Sequence, residues 1–210
     1  MKKVIINGGP RKNWSTSKLL NSAKEGAESA EAEVVYVNLY DLIFTGCRSC
    51  MVCKRKGISE PCKCYWKDML SPVIEDVYSA DHLIMGSPVY FGEPTGVLRM
   101  FMERVVFPTF SYNDYSSIFK GKVDVDVFLT MNVPADRYDK LYGQSMDTFF
   151  KPFGFLNGDI RIHPVCDTLQ VSDYSKYEMA GFSEEHKKAV YEAEFEDHLK
   201  TAFEVGRESK

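Results

Sequence analysis

The sequence predicts an α/β fold, a five-stranded parallel sheet of strand order 2-1-3-4-5 with helices on both faces. Short β-branched or apolar runs alternate with segments of helical spacing along the chain, which is the pattern of a parallel sheet wrapped by helices. A total of 210 residues, 44% of them hydrophobic, is enough for one sizeable core. No internal repeat, low-complexity tract or second core divides the chain, so residues 1–210 are read as a single domain.

The first strand is placed at residues 3–7, around Val4, Ile5 and Ile6, and the first helix runs from Thr16 toward Ala30 with Leu19, Leu20, Ala23 and Ala27 at helical spacing. Residues 34–39 read as the second strand, and a cysteine-rich loop occupies residues 47–64. Asp68 is expected to cap a second helix carrying Met69, Leu70, Val73, Ile74, Val77 and Tyr78 on one face, with Pro72 in its first turn. The third strand, residues 82–86, leads into a turn from Ser87 to Gly92, after which Thr95 is expected to cap a helix whose inner face is Leu98, Phe101, Met102 and Val105. Beyond an aromatic-rich segment at 107–119 come a strand at 123–130, a helix at 136–150 and a strand at 160–165. The last helix opens at Ser183, with Glu184 and Glu185 placed well against its dipole.

A net charge of -4 argues against nucleic-acid binding, because no basic surplus is available to neutralise a phosphate backbone. No apolar run approaches membrane-spanning length, and the three apolar residues after Met-Lys-Lys are too few for a signal peptide. A soluble, cytoplasmic protein is therefore expected, in which six cysteines point to metal, cluster or incidental thiols rather than disulfides.

Two stretches carry the chemistry. Residues 7–20 turn on Gly8, Gly9 and Pro10 and offer Ser15, Thr16 and Ser17 where a helix starts, with Arg11 and Lys12 adding charge. A helix N-terminus leaves N–H groups without partners at the positive end of the macrodipole, so an anion is stabilised there. Neither G-x-G-x-x-G nor G-x-x-x-x-G-K-[ST] is present, which favours a mononucleotide phosphate; the alternative is an ordinary capped strand-to-helix turn. The second stretch, Pro88-Val89-Tyr90-Phe91-Gly92, offers an aromatic wall and backbone donors suited to a planar ring, with Tyr90 or Phe91 as stacking partner. In the order 2-1-3-4-5 both stretches flank the switch point, where ligands sit outside the carboxyl ends of the strands.

Gly8-Gly9-Pro10-Arg11-Lys12-Asn13-Trp14-Ser15-Thr16, Cys47-x-x-Cys50-x-x-Cys53, Cys64-x-x-x-Asp68-Met69 and Gly86-Ser87-Pro88-Val89-Tyr90-Phe91-Gly92 together resemble the NADPH-dependent FMN reductase and iron–sulfur flavoprotein group of the flavodoxin-like superfamily. The likeness covers the first half of the chain and continues more loosely through Met102-Glu103-Arg104 and Thr130-Met131-Asn132. It implies a flavodoxin-like three-layer sandwich, a homodimer or homotetramer, that passes electrons from NAD(P)H through FMN to a small acceptor such as a quinone, nitro compound, metal complex or free flavin. On this likeness FMN meets Gly9, Pro10, Arg11, Asn13, Ser15, Thr16, Ser17, Pro88, Val89, Tyr90, Phe91, Gly92, Thr130 and Asn132. Gly9 stands where the family usually has Ser, and Trp14-Ser15 where it has Gly-Asn.

Cys47, Cys50 and Cys53 resemble the opening of an iron–sulfur cluster site whose fourth ligand is Cys62 or Cys64, although the last spacing is longer than in iron–sulfur flavoproteins. Structural zinc and a loop without metal are the other readings. Cys166 reads as a small hydrophobe at a strand end, and the four histidines as unrelated residues. The segment from Phe107 to Tyr115 either roofs a flavin or acceptor site or packs locally. Arg11 is a second candidate for the nicotinamide phosphate, beside a solvated surface role. Two further readings stay open: an electron-transfer flavoprotein with a ferredoxin-like partner, and a non-enzymatic relative that has lost flavin.

Overall fold

In the computed structural model, which describes residues 1–57 and 60–208, β1 (Lys2–Asn7) lies between β2 (Glu33–Asn38) and β3 (His82–Tyr90). β4 (Glu93–Pro94) is a two-residue return strand, while β5 (Val123–Thr130) and β6 (Asn157–Val165) continue the sheet beyond β3. The order is β2-β1-β3-β5-β6, all parallel. With β4 set aside this is the predicted 2-1-3-4-5 order, and the fold is flavodoxin-like. Val4, Ile5 and Ile6 are fully buried, as expected of a central parallel strand covered on both faces.

The helices are α1 (Ser15–Ser29), α2 (Ser71–Tyr78), α3 (Gly96–Val106), α4 (Ala135–Tyr138), α5 (Gln144–Phe150) and α6 (Glu184–Arg207). Leu19, Leu20, Ala23 and Phe195 belong to the core on one side of the sheet; Val73, Ile74, Leu98, Phe101 and Phe150 belong to the core on the other. No helix among the described residues is long and apolar enough to cross a membrane.

Four local expectations are corrected. The third strand does not stop at Gly86 but pairs with β5 as far as Pro88↔Thr130, and the turn narrows to Phe91 and Gly92, whose φ angles of 52° and 81° make a two-residue hairpin into β4. α2 starts at Ser71, later than expected: in the turn before it Asp68 Oδ1 accepts from the Leu70 N–H at 3.0 Å while Oδ2 is held by the Arg104 guanidinium at 2.7 Å, and Met69, expected on the inner face, precedes the helix and is exposed. Thr95 precedes α3 without capping it through its side chain; its hydroxyl donates instead to the Gly8 carbonyl at 2.7 Å. The helix expected at 136–150 contains a π turn at Asp139–Gly143 between α4 and α5. Tyr138, Tyr142, Met146 and Phe150, which contribute to one core, recur every four residues, and the wider turn absorbs the excess over a 3.6-residue period.

Two of the four histidines, His82 and His163, are satisfied by one shared carboxylate rather than being unrelated. In β5, Val123, Val125 and Val127 face one core, which turns Asp124 and Asp126 to the opposite face. There His82 Nε2 and His163 Nε2 meet the fully buried Asp126 carboxylate at 2.7 and 2.6 Å, and Arg161 Nε donates to it at 2.9 Å. Burial alone would raise this carboxyl, but the hydrogen bonds from His163, His82 and Arg161 hold it far below the usual range.

Candidate cofactor cleft

At the carboxyl end of the sheet the loops after β1, β3, β5 and β6 line a solvent-open cleft of about 70 Å³. Its position is set by close packing beneath it. A side chain on Gly86 would lie 2.8 Å from Leu20 Cδ1 and 2.9 Å from Thr16 Cγ2, so glycine allows the first turns of α1 to rest directly on β3. The β1–α1 loop is then fixed by Asn7. Its Oδ1 accepts from the Gly9 N–H at 2.9 Å, and its Nδ2 donates to Ser17 Oγ and Asn38 Oδ1, both at 2.9 Å. A Cβ on Gly9 would approach Asn7 Oδ1 to 3.1 Å, so a side chain here would crowd the group that fixes the loop.

The structure brings ten of the expected FMN residues to this one cleft. Gly9, Pro10, Arg11, Ser15 and Thr16 form one wall; Pro88, Val89 and Tyr90 form a second; Thr130 and Asn132 form the third. Thr16 Oγ1 and Thr130 Oγ1 lie 2.7 Å apart and join the first and third walls. The first turn of α1 has no capping side chain, because the residue at the N-cap is Trp14 rather than Ser15 or Thr16. Its N–H groups are thus directed to the cleft end without a side-chain acceptor. Opposite, Asn132 Oδ1 is buried without a hydrogen-bond partner among the described residues. Such a group is costly unless something else supplies its donor.

Four expected residues are not among those lining the cleft. Ser17 is buried and its hydroxyl donates to the Arg11 carbonyl at 2.7 Å, so it shapes the loop from behind. Asn13 is exposed, and Phe91 stands fully exposed at the hairpin tip beside Gly92. Arg11 lines the cleft, but its guanidinium lies over the Trp14 ring at 4.6 Å and donates to the Gln170 carbonyl at 2.5 Å.

Sequence reading missed the fourth wall, made of Thr168, Leu169 and Gln170 after β6. Trp14 Nε1 donates to the Leu169 carbonyl at 2.8 Å and holds that wall to the cradle. The tryptophan that replaces a small residue of the family pattern therefore has a partner 155 positions away, which no local motif reveals.

Cys47, Cys50, Cys53 and Cys64 share a second, smaller pocket with Arg104 and Trp66. Among the described residues no three His, Cys, Asp or Glu side chains converge where they would hold a metal ion. Arg104 Nε donates to Cys64 Sγ at 3.1 Å, and its other nitrogens bind the Thr45 and Trp66 carbonyls and Asp68. Burial raises the Cys53 thiol above its ordinary value, with nearby Lys54 opposing and the other thiols reinforcing. The thiols thus gather without forming a ligand set. Cys166 packs against the core as expected, and burial, then Asp167, push it up to about 11.

Sheet order and cleft together define a flavodoxin-like domain with a cleft at its topological switch point. The chain belongs to the NADPH-dependent FMN reductase family, whose model matches residues 1–130. It is 33% identical over 104 residues to an iron–sulfur flavoprotein of Methanocaldococcus jannaschii, covering 50% of this chain and 51% of that protein. It is 31% identical over 104 residues to one of Archaeoglobus fulgidus, covering 50% and 48%. The chain spans about half the length of the curated relatives it matches. Among solved structures, an NAD(P)H:quinone oxidoreductase from Methanothermobacter marburgensis superposes with a TM-score of 0.73 at 15% identity, covering 99% of this chain and 98% of the other. An FMN-dependent NADH-azoreductase from Bacillus anthracis in complex with FMN superposes with a TM-score of 0.64 at 14% identity, covering 98% and 100%. At such identities the likeness is one of fold.

Proposed function

We propose that the protein binds FMN in the four-walled cleft and is an NAD(P)H oxidoreductase that reduces a small acceptor, acting as a single domain. The observation that carries this reading is an uncapped helix start and Asn132, whose buried Oδ1 has no partner among the described residues, in the lining of one cleft. The first suits a phosphate, and the second suits an N–H or O–H donor of a ring or ribityl chain. Ser15 and Thr16 with the first-turn N–H groups would hold the phosphate, Thr130 and Asn132 the polar edge, and Pro88, Val89 and Tyr90 the ring.

Bound FMN supplies the two-electron chemistry: NAD(P)H gives up a hydride and becomes NAD(P)⁺, and the acceptor, a quinone for example, gains two electrons and two protons, one from solvent. The chain's part is to position and shield. Tyr90 is only half-covered, leaving an approach along the hairpin for a nicotinamide or an acceptor. Adding NADPH or NADH anaerobically to FMN-loaded protein is expected to bleach the flavin absorbance, and adding a quinone to restore it. Flavin that stays oxidised with both donors but is reduced by ferredoxin would overturn the oxidoreductase reading in favour of an electron-transfer flavoprotein.

A second reading, an electron-transfer iron–sulfur flavoprotein, is favoured by the four thiols opening on one pocket and by the names of the relatives. The geometry does not preform its ligands. Iron and acid-labile sulfide at four atoms each per chain, in anaerobically purified protein, would establish it.

A further inference from the structure

Directly behind the third and fourth walls stands a buried cation, Lys187. Lys187, in the first turn of α6, has a side chain only 4% exposed. Its ammonium donates to the main-chain carbonyl of Asn132 at 2.8 Å and to the carboxylate of Asp167, and it lies 5.8 Å from the Phe182 ring centroid. The other Asp167 oxygen accepts from His186 Nε2 at 2.6 Å.

These contacts join two loops. Asp167 sits in the left-handed region at φ 53°, a conformation that costs a non-glycine residue of order 1 kcal/mol unless its surroundings hold it. It is held by its N–H, which donates to the Val133 carbonyl at 2.9 Å, while the Thr168 N–H donates to the Met131 carbonyl at 2.9 Å. The ammonium therefore fixes the segment 131–133 to the segment 167–168 at the point where both enter the cleft. Burying an ammonium is expensive, and along α6 the positions one and two four-residue steps further on, Tyr191 and Phe195, are aromatic. A packing requirement alone would be met by methionine or leucine.

We propose that Lys187 is a positioning residue for the flavin: by holding the Asn132 carbonyl and Asp167 it sets the Asn132 backbone so that the unpartnered Oδ1 is presented to a donor on the flavin ring or ribityl chain. This rests on the FMN reading above. Outer groups that orient a ligating side chain typically contribute 10–100-fold in affinity. Because Lys187 acts on the wall opposite the phosphate cradle, its effect is the same for riboflavin as for FMN.

The test is a double-mutant cycle of Lys187→Met and Asn132→Ala, read as FMN and riboflavin Kd by flavin fluorescence quenching at a temperature well below each variant's midpoint. Each single variant is expected to weaken both ligands about tenfold, and the double variant to be no weaker than the worse single. Lys187→Arg, which keeps the charge, is expected to recover part of the loss. Unchanged affinity in Lys187→Met, or the full product of the two factors, about a hundredfold, in the double variant, would overturn the proposal. If Lys187→Met does not fold, Asp167→Asn replaces it in the cycle under the same criterion. Wild-type protein that binds neither FMN nor riboflavin overturns the flavin reading and this proposal with it, whereas binding by wild type with failure of the cycle overturns this proposal alone.

Discussion

The cleft and the cysteine loop sit on the same domain, and both were candidates for redox chemistry, yet they treat their polar groups in opposite ways. Around the cleft the supporting groups are satisfied from behind, by Asn7, Thr95 and Lys187, while among the described residues Asn132 Oδ1 has no partner and no side chain caps the first turn of α1. Around the cysteines the hydrogen-bonding capacity of the buried cation is used internally. Arg104, fully buried, satisfies Asp68, two carbonyls and the Cys64 sulfur at once. A binding site shows as unmet hydrogen-bonding capacity in an otherwise satisfied frame; a structural knot shows none.

The largest expected effect separates these two regions. Arg104→Met removes the cation that holds Asp68 and the loop carbonyls and is expected to lower stability by about 3–5 kcal/mol, measured by denaturant unfolding. FMN Kd measured under folding conditions should remain within about twofold if the knot is structural. A parallel loss of flavin affinity would mean that the two regions are one site.

Thr16→Val tests the other side. It removes a hydroxyl from the phosphate wall and its bond to Thr130, and FMN affinity should fall about tenfold while riboflavin affinity falls less. Equal FMN affinity would place the phosphate elsewhere.

The smallest effect concerns the thiols. Cys50 is exposed, whereas Cys166 is half-buried with its thiol pushed up to about 11. Since only the thiolate reacts, Cys166 should modify about a hundredfold more slowly than an ordinary cysteine at pH 7, and faster as pH rises. Mass-spectrometric mapping of alkylation over time checks the order, and rapid labelling of Cys166 would show that the loop after β6 opens.

Much of the fold was legible because it rests on local patterns. The Val-Ile-Ile run of β1, the helical spacing of Leu19, Leu20 and Ala23, and the Ser183 cap, whose hydroxyl accepts from the His186 N–H at 3.2 Å, are set by near neighbours. Local expectations failed where a distant partner intervened: Gly8 takes the Thr95 hydroxyl from α3, and Arg104 shares the Asp68 carboxylate with the local Leu70 N–H. Three cleft walls were legible because their residues recur as motifs after strands. The wall at Thr168–Gln170 was not, since its residues contribute through position and carbonyl groups rather than side-chain type. One signal was available: Lys187 occupies the step before Tyr191 and Phe195 on one helical face, and a lysine in an apolar stripe calls for a buried partner.

The central claim is that the cleft is an FMN site, and titration of the purified apoprotein with FMN and with riboflavin tests it most directly. Saturable quenching at one FMN per chain, a two-banded yellow spectrum, and weaker binding of riboflavin, which lacks the phosphate, are expected. A colourless protein that quenches neither ligand, or one that binds both equally, would contradict it.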